Sequence, residues 1–264
     1  MADIRILSYL PNPRVWKALI AAELCGVTVD VIGDAPANMP TWLWDFDARQ
    51  LTEAERTDDS PHARVSRRGF SGTLFKTDTF LEAHPFGTVP AAFSGDGRIG
   101  IFESNSILRA VVRAAVDDRG LYGRDVLDAS RIDSFLDAAL VFAREAQVYL
   151  LAADEMDAAT AERMGGAYEF FLNGIEAALK QTPFIAGEDL SIADIGIACD
   201  LSQFLRERLM ADRLAASGFE PISADLEQVY PRTAAHIASL AARPVFAQYL
   251  EKTVRQTLKQ VAGG

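Results

Sequence analysis

The chain has 264 residues, with 26 lysines and arginines against 37 aspartates and glutamates, a net charge of -11 and a sequence pI near 4.8. That balance argues against unaided nucleic-acid binding, because phosphates are repelled rather than neutralised, and no stretch approaches the roughly 18 apolar residues of a membrane span. Hydrophobic residues at 49% are enough for two modest cores, and the start Met1-Ala2-Asp3-Ile4-Arg5 shows no secretory pattern, so the expected location is the cytoplasm. Cys25 and Cys199 form no Cys-x-x-Cys pair, and His62, His84 and His236 are far apart in sequence, so neither a metal site nor a structural disulfide is expected.

In chain order, Ile4 to Leu7 reads as a strand and Arg14 to Leu24 as a helix. Val27, Val29 and Val31 alternate with Thr28 and Asp30, the pattern of a second strand, so the chain opens with a β-α-β unit. Residues 34–82 form an unusually long connection containing Trp42, Trp44 and Phe46, then Arg64, Arg67 and Arg68. Pro90 to Phe93 reads as a strand folded back by Ser94-Gly95-Asp96-Gly97 onto Ile99 to Phe102, and a helical pattern of Ile107, Leu108, Val111 and Val112 follows. The order βαβ, connection, ββα is the thioredoxin-like arrangement, and without Cys-x-x-Cys its redox chemistry is not expected. A turn-rich stretch from Val116 to Arg124 marks a boundary. Beyond it, segments near 127–152, 159–180, 192–213, 225–242 and 244–260 carry apolar residues at threes and fours, which predicts an all-helical bundle. Ser191 and Asp194 have the spacing of a capping box that starts a buried helix.

Two short pieces carry the functional signal. In Phe86-Gly87-Thr88-Val89-Pro90-Ala91 a proline opens a strand, often after a cis bond that turns the Val89 backbone outward to pair with a peptide laid alongside. In Ile101-Phe102-Glu103-Ser104-Asn105 a strand gives way to a helix start, which offers N–H groups and a positive dipole end to a carboxylate while Glu103 pairs with an ammonium. A zwitterionic amino-acid head fits this pattern. Taken singly, Val89-Pro90 is more often an ordinary edge strand and Ser104 an ordinary helix cap.

Together the pieces resemble the glutathione site of the soluble glutathione transferases, in which the valine backbone holds the cysteinyl part and the Glu-Ser pair the γ-glutamyl end. The resemblance covers nearly the whole chain. Arg14-Val15-Trp16-Lys17-Ala18-Leu19-Ile20-Ala21-Ala22, Val89-Pro90-Ala91, Phe102-Glu103-Ser104-Asn105 and Arg243-Pro244-Val245-Phe246 are similar to the transferase-like part of the gamma subunit of a eukaryotic elongation factor complex. It implies an α/β thioredoxin-like domain at 1–115, with a long insertion at about 34–82, and an all-α bundle at 126–264. It also implies glutathione as cosubstrate, with Val89, Pro90, Glu103, Ser104 and Arg14 as binding residues and no metal. The implied partners are a hydrophobic aromatic electrophile and a second copy or a related subunit. Bacterial members of the wider family include glutathione-dependent β-aryl etherases acting on lignin-type ethers. Other relatives of the gamma-subunit branch serve as docking modules, and a non-catalytic module is the alternative reading.

Catalysis in this family needs the glutathione thiol ionised, and lowering a thiol pKa by about two units contributes about 2 kcal/mol at neutral pH. The donor is expected in Leu7-Ser8-Tyr9-Leu10-Pro11-Asn12-Pro13-Arg14. Asn12 aligns with the serine of some classes and is equally a helix cap, with Pro13 at the first helical position. Tyr9 is the rival donor, because Tyr9-Leu10-Pro11 resembles the segment of the tyrosine-using classes, and it also reads as a buried strand tyrosine. Cys25, about 20 Å further along the helix, is too distant to act. Arg14 suits a ligand carboxylate, an acid across a dimer, or solvent.

Thr88 stands where several classes carry a lysine for the glycine carboxylate of glutathione. The insertion arginines are expected to replace it, with the insertion aromatics lining a substrate cleft or a subunit interface; the other reading is a solvated loop with buried aromatic anchors. Phe142, Arg144, Glu145, Tyr149, Phe204 and Arg208 are candidates for a substrate surface between the domains, with core or solvent as the other reading.

Overall fold

The first strand, β1 (Ile4–Tyr9), is buried on both faces, with Ile4, Ile6, Leu7 and Ser8 all buried. Asn12 then caps α1 (Pro13–Cys25): its side chain accepts from the Arg14 N–H, Pro13 occupies the first turn, and Gly26 ends the helix at φ 72°. The crossover brings β2 (Val29–Asp34) parallel to β1. The computed structural model describes residues 3–66, 70 and 72–258.

The described residues of the insertion carry regular structure. After a 3-10 turn at Pro36–Thr41 come β3 (Trp42–Trp44), β4 (Arg49–Gln50), β5 (Ala63–Val65) and β6 (Thr73–Lys76), which form a second sheet in the order β4-β3-β6-β5. Trp44 is buried, and with Met39, Leu74 and Phe80 it forms one cluster with Leu7, Ala91 and Phe93 of the main sheet. Trp42 and Phe46 pack against the same cluster. Trp44 is therefore core, and Trp42 and Phe46 are partly buried beside it. They anchor the second sheet, and burying a large aromatic is worth roughly 2 to 3 kcal/mol.

Thr77 caps a short helix, α2 (Asp78–Ala83), after which β7 (Ala91–Ser94) pairs antiparallel with β1, and β8 (Gly100–Phe102) with β7. The main sheet runs β2-β1-β7-β8. Gly100 has to be glycine, since a Cβ there would lie 2.1 Å from the Ala83 carbonyl oxygen. The last element of this unit, α3 (Ser104–Ala114), buries Ile107, Leu108, Val111 and Val112. This is the expected thioredoxin-like arrangement.

The chain divides between Val116 and Asp117 into two compact units. The second contains α4 (Val126–Leu151), α5 (Ala158–Gln181), α6 (Ile192–Phe204), α7 (Ala211–Ala216), α8 (Leu226–Val229), α9 (Pro231–Ala241) and α10 (Pro244–Thr257). The expected helix at 192–213 is broken by a 3-10 segment at Leu205–Met210, and the one at 225–242 by Tyr230-Pro231. A proline has no N–H and cannot continue a helix. The central α6 is buried along almost its whole length. Its first turn is fixed by Asp194, whose carboxylate accepts from the Ile185 N–H and the Ser191 N–H, both at 2.9 Å, and meets His236 Nε2 at 2.9 Å.

Among the described residues no helix is long and apolar enough to cross a membrane. Among the described residues Cys25 and Cys199 form no disulfide.

Candidate functional site

Strand register brings the sequence-predicted segments together. Ala91 lies opposite both Leu7 of β1 and Phe102 of β8. The chain leaving β1 through Tyr9 and Asn12, the Val89-Pro90 entry to β7, and the Glu103-Ser104 exit from β8 therefore share one end of the sheet. The Val89-Pro90 bond is cis, as is Leu10-Pro11. Val89 is half-buried and Pro90 buried, while Thr88 is exposed.

Glu103 is exposed and left-handed at φ 65° and ψ 126°, a conformation non-glycine residues seldom adopt away from functional positions. It leaves α3 without a side-chain cap, so the helix begins with its amide dipole end open. Ser104 is the first helical residue, and its Oγ accepts from Lys17 Nζ at 3.3 Å.

Asn12 does not present its amide to this surface. It is fully buried; Nδ2 donates to Ser8 Oγ at 3.0 Å and Oδ1 accepts from the Arg14 N–H at 2.9 Å. The next amides, of Val15 and Trp16, donate to the Asn12 carbonyl. The geometry is that of a cap, with the side chain and the first-turn N–H groups engaged inside the fold. Tyr9 and Arg14 are half-buried, with the Tyr9 ring edge-on to Phe70 at 6.4 Å.

The insertion supplies a different cation from the expected ones. Arg64 is paired with Asp78 at 2.7 Å, and Arg67 and Arg68 lie outside the described residues. Lys76 donates to the Gly87 carbonyl at 2.7 Å and sits 4.8 Å from the Trp44 ring centroid, and among the described residues no carboxylate pairs with it. Burial, then the nearby Arg64, hold its pKa below the usual lysine range. Sequence reasoning passed over Lys76 because its only signal is a lysine ending a short apolar strand.

The expected substrate surface on the helices is largely core. Phe142 stacks on Phe171 at 4.6 Å and meets Phe204 edge-on at 5.4 Å, and Tyr149 is buried with them. Arg208 is half-buried and tied to Glu227 at 2.7 Å and to the Thr257 carbonyl at 2.6 Å. Glu145 pairs with Arg163 at 2.6 Å, and Arg144 is exposed.

A thioredoxin-like unit followed by an all-helical unit is the fold of the glutathione transferases. Residues 158–239 match the family described as "Glutathione S-transferase, C-terminal domain". The chain is 28% identical over 202 residues to elongation factor 1-gamma of Homo sapiens, covering 76% of this chain and 38% of that protein. It thus spans well under half of the length of such curated relatives. In structure it is similar to a glutathione S-transferase from Methylobacillus flagellatus with glutathione bound, at TM-score 0.62 and 17% identity over 93% of this chain and 98% of that one. It is also similar to a glutathione transferase from Phanerochaete chrysosporium in complex with oxidized glutathione, at TM-score 0.63 and 17% identity over 96% and 97% of the two chains.

Proposed function

We propose that this protein is a glutathione transferase that adds the glutathione thiolate to a hydrophobic aromatic electrophile. The observation that carries the reading is the convergence, at one end of the main sheet, of the Val89-Pro90 entry to β7 and a left-handed Glu103 before the uncapped start of α3. In this reading the Val89 backbone pairs with the cysteinyl part, and the start of α3 with Ser104 receives the γ-glutamyl carboxylate while Glu103 meets its ammonium. Lys76 supplies the cation for the far carboxylate that Thr88 lacks. Tyr9 is favoured over Asn12 as the thiolate donor, because the Asn12 amide is engaged within the fold. Arg14 stands beside it for a ligand carboxylate.

The specific reaction put forward is cleavage of a lignin-type β-aryl ether: the sulfur attacks the ether-bearing carbon, the C–S bond forms as the C–O bond breaks, and the phenolate leaves and is protonated by solvent. Exposed Val141, Val148 and Leu151 on one face of α4 support pairing with a second copy or a related subunit. The second reading is a docking module that keeps the peptide site without the chemistry. It is favoured by the internal commitment of Asn12 and by the likeness to elongation factor 1-gamma.

Calorimetry with glutathione, together with the thiolate absorbance of the bound peptide, tests both. Micromolar to millimolar binding that is abolished in Glu103→Ala with Ser104→Ala, and a thiolate band at neutral pH, support the transferase and justify assaying aryl ethers. Binding without the band supports the module. No binding overturns the glutathione reading.

A further inference from the structure

Lys17 of α1 is 1% exposed, one of the largest fully buried side chains of the chain. Its ammonium donates to Asn105 Oδ1 at 2.8 Å and to Ser104 Oγ at 3.3 Å, both in the first turn of α3. An ammonium is costly to hold away from water, and these two bonds tie it to the side chains that open α3. The helices α1, α4, α5 and α6 are capped by Asn12, Asp125, Asp157 and Ser191, whereas α3, like α9 and α10, has no side-chain cap.

An ammonium has donors and no acceptor, so Ser104 Oγ must be the acceptor in its bond to Lys17. Its own proton is then directed elsewhere, and among the described residues no acceptor takes it. The hydroxyl becomes a donor at the open start of the helix, alongside the dipole and with a positive charge behind it. A carboxylate satisfies all three features at once, whereas a neutral group satisfies only the hydroxyl.

We propose that Lys17 is a positioning residue that fixes Ser104 as a hydroxyl donor and makes this site select ligands bearing a free carboxylate on their amino-acid head. The inference rests on the glutathione reading above, and deepens it by naming what sets the polarity of the site. Lys17 acts through Ser104 and Asn105 and need not touch the ligand.

The test compares glutathione with 4-aminobutyryl-cysteinyl-glycine, the same peptide without the α-carboxylate, by calorimetry on wild type, Lys17→Met and Lys17→Gln. Wild type is expected to prefer glutathione by about tenfold or more, the scale of a charge-assisted hydrogen bond. Lys17→Met is expected to lose most of that preference while binding the shortened peptide as wild type does, even where its urea midpoint falls because Asn105 Oδ1 loses a donor. Full preference retained in both variants overturns the inference. So does an equal weakening of both peptides accompanied by a lower midpoint, which is the result of a purely structural lysine. Wild type that binds neither peptide overturns the glutathione reading and this inference with it.

Discussion

His84 gives the protein an acid-sensitive point beside its candidate site. It follows α2 and opens the turn that leads to Val89; its backbone N–H donates to the Phe80 carbonyl at 2.8 Å and its carbonyl accepts from the Gly87 N–H at 2.9 Å. The ring is fully buried, stacked on Phe102 at 5.0 Å and tilted against Phe80 at 5.7 Å, and neither ring nitrogen has a hydrogen-bond partner. Burial, with the nearby Lys76 adding to it, pushes the imidazole down from 6.5 to about 4.

Because the folded value lies below the unfolded one, the unfolded chain takes up the proton first as pH falls. Stability from this residue is intact above pH ~6.5, declines below it, and is fully lost below pH ~4. A difference of about 2.5 units corresponds to about 3 kcal/mol in all, of which about 2 kcal/mol is lost by pH 5. The perturbation is His84→Phe, which keeps an aromatic ring in the stack and removes the titrating group. Urea unfolding of both proteins at pH 7 and pH 5 isolates this residue, since the difference between the two proteins cancels every other titration. The variant is expected to lose about 2 kcal/mol less than wild type between those pH values, and to lie within about 1 kcal/mol of it at pH 7. An equal acid-induced loss in the two proteins would refute the assignment of this sensitivity to His84.

Other consequences follow from groups whose partners are named. Asp194→Ala strands the Ile185 and Ser191 amides and His236 in the helical unit, so urea unfolding should show a loss of about 3 to 5 kcal/mol; a loss below about 1 kcal/mol would mean that solvent replaces these bonds. Asn12→Ala removes the α1 cap and the partner of Ser8 Oγ, at about 2 kcal/mol or more in the same assay, yet leaves the thiolate band of bound glutathione in place. Tyr9→Phe gives the reverse outcome, losing the band with little change in the urea midpoint. A band lost in Asn12→Ala and kept in Tyr9→Phe would return the donor role to Asn12.

What was legible in the sequence depended on length and period. β1, α1 and the long bundle helices repeat apolar residues often enough to show their periodicity, and Asn12-Pro13 and Ser191 to Asp194 mark helix starts by residue type alone. The second sheet was not legible, because its strands run from two to four residues, too short for alternation to show. Its tryptophans read either as the lining of a cleft or interface or as buried anchors; Trp44 is a buried anchor, and Trp42 is partly buried against the same cluster. Phe142, Tyr149 and Phe204 were ambiguous for a related reason: helical spacing gives the existence of a face and not what covers it. Lys17 was invisible as a site residue, since a lysine in an amphipathic helix ordinarily lies in solvent, and only the tertiary packing of α1 against α3 reveals it as buried.

The site is built so that binding and chemistry depend on different things. The contacts attributed to the peptide are spread over several groups: the Val89 backbone at the strand entry, the open start of α3 with the Ser104 hydroxyl, and the Glu103 carboxylate. Recognition in this reading therefore rests on more than one residue. Ionising a thiol instead requires one donor at the start of α1, and there the first-turn amides and the Asn12 side chain are already engaged within the protein. On the proposed glutathione reading, a change of that single donor removes catalysis and leaves recognition of the peptide. The choice between a transferase and a docking module in that reading turns on the Tyr9 phenol, the half-buried hydroxyl among the donors named for that segment.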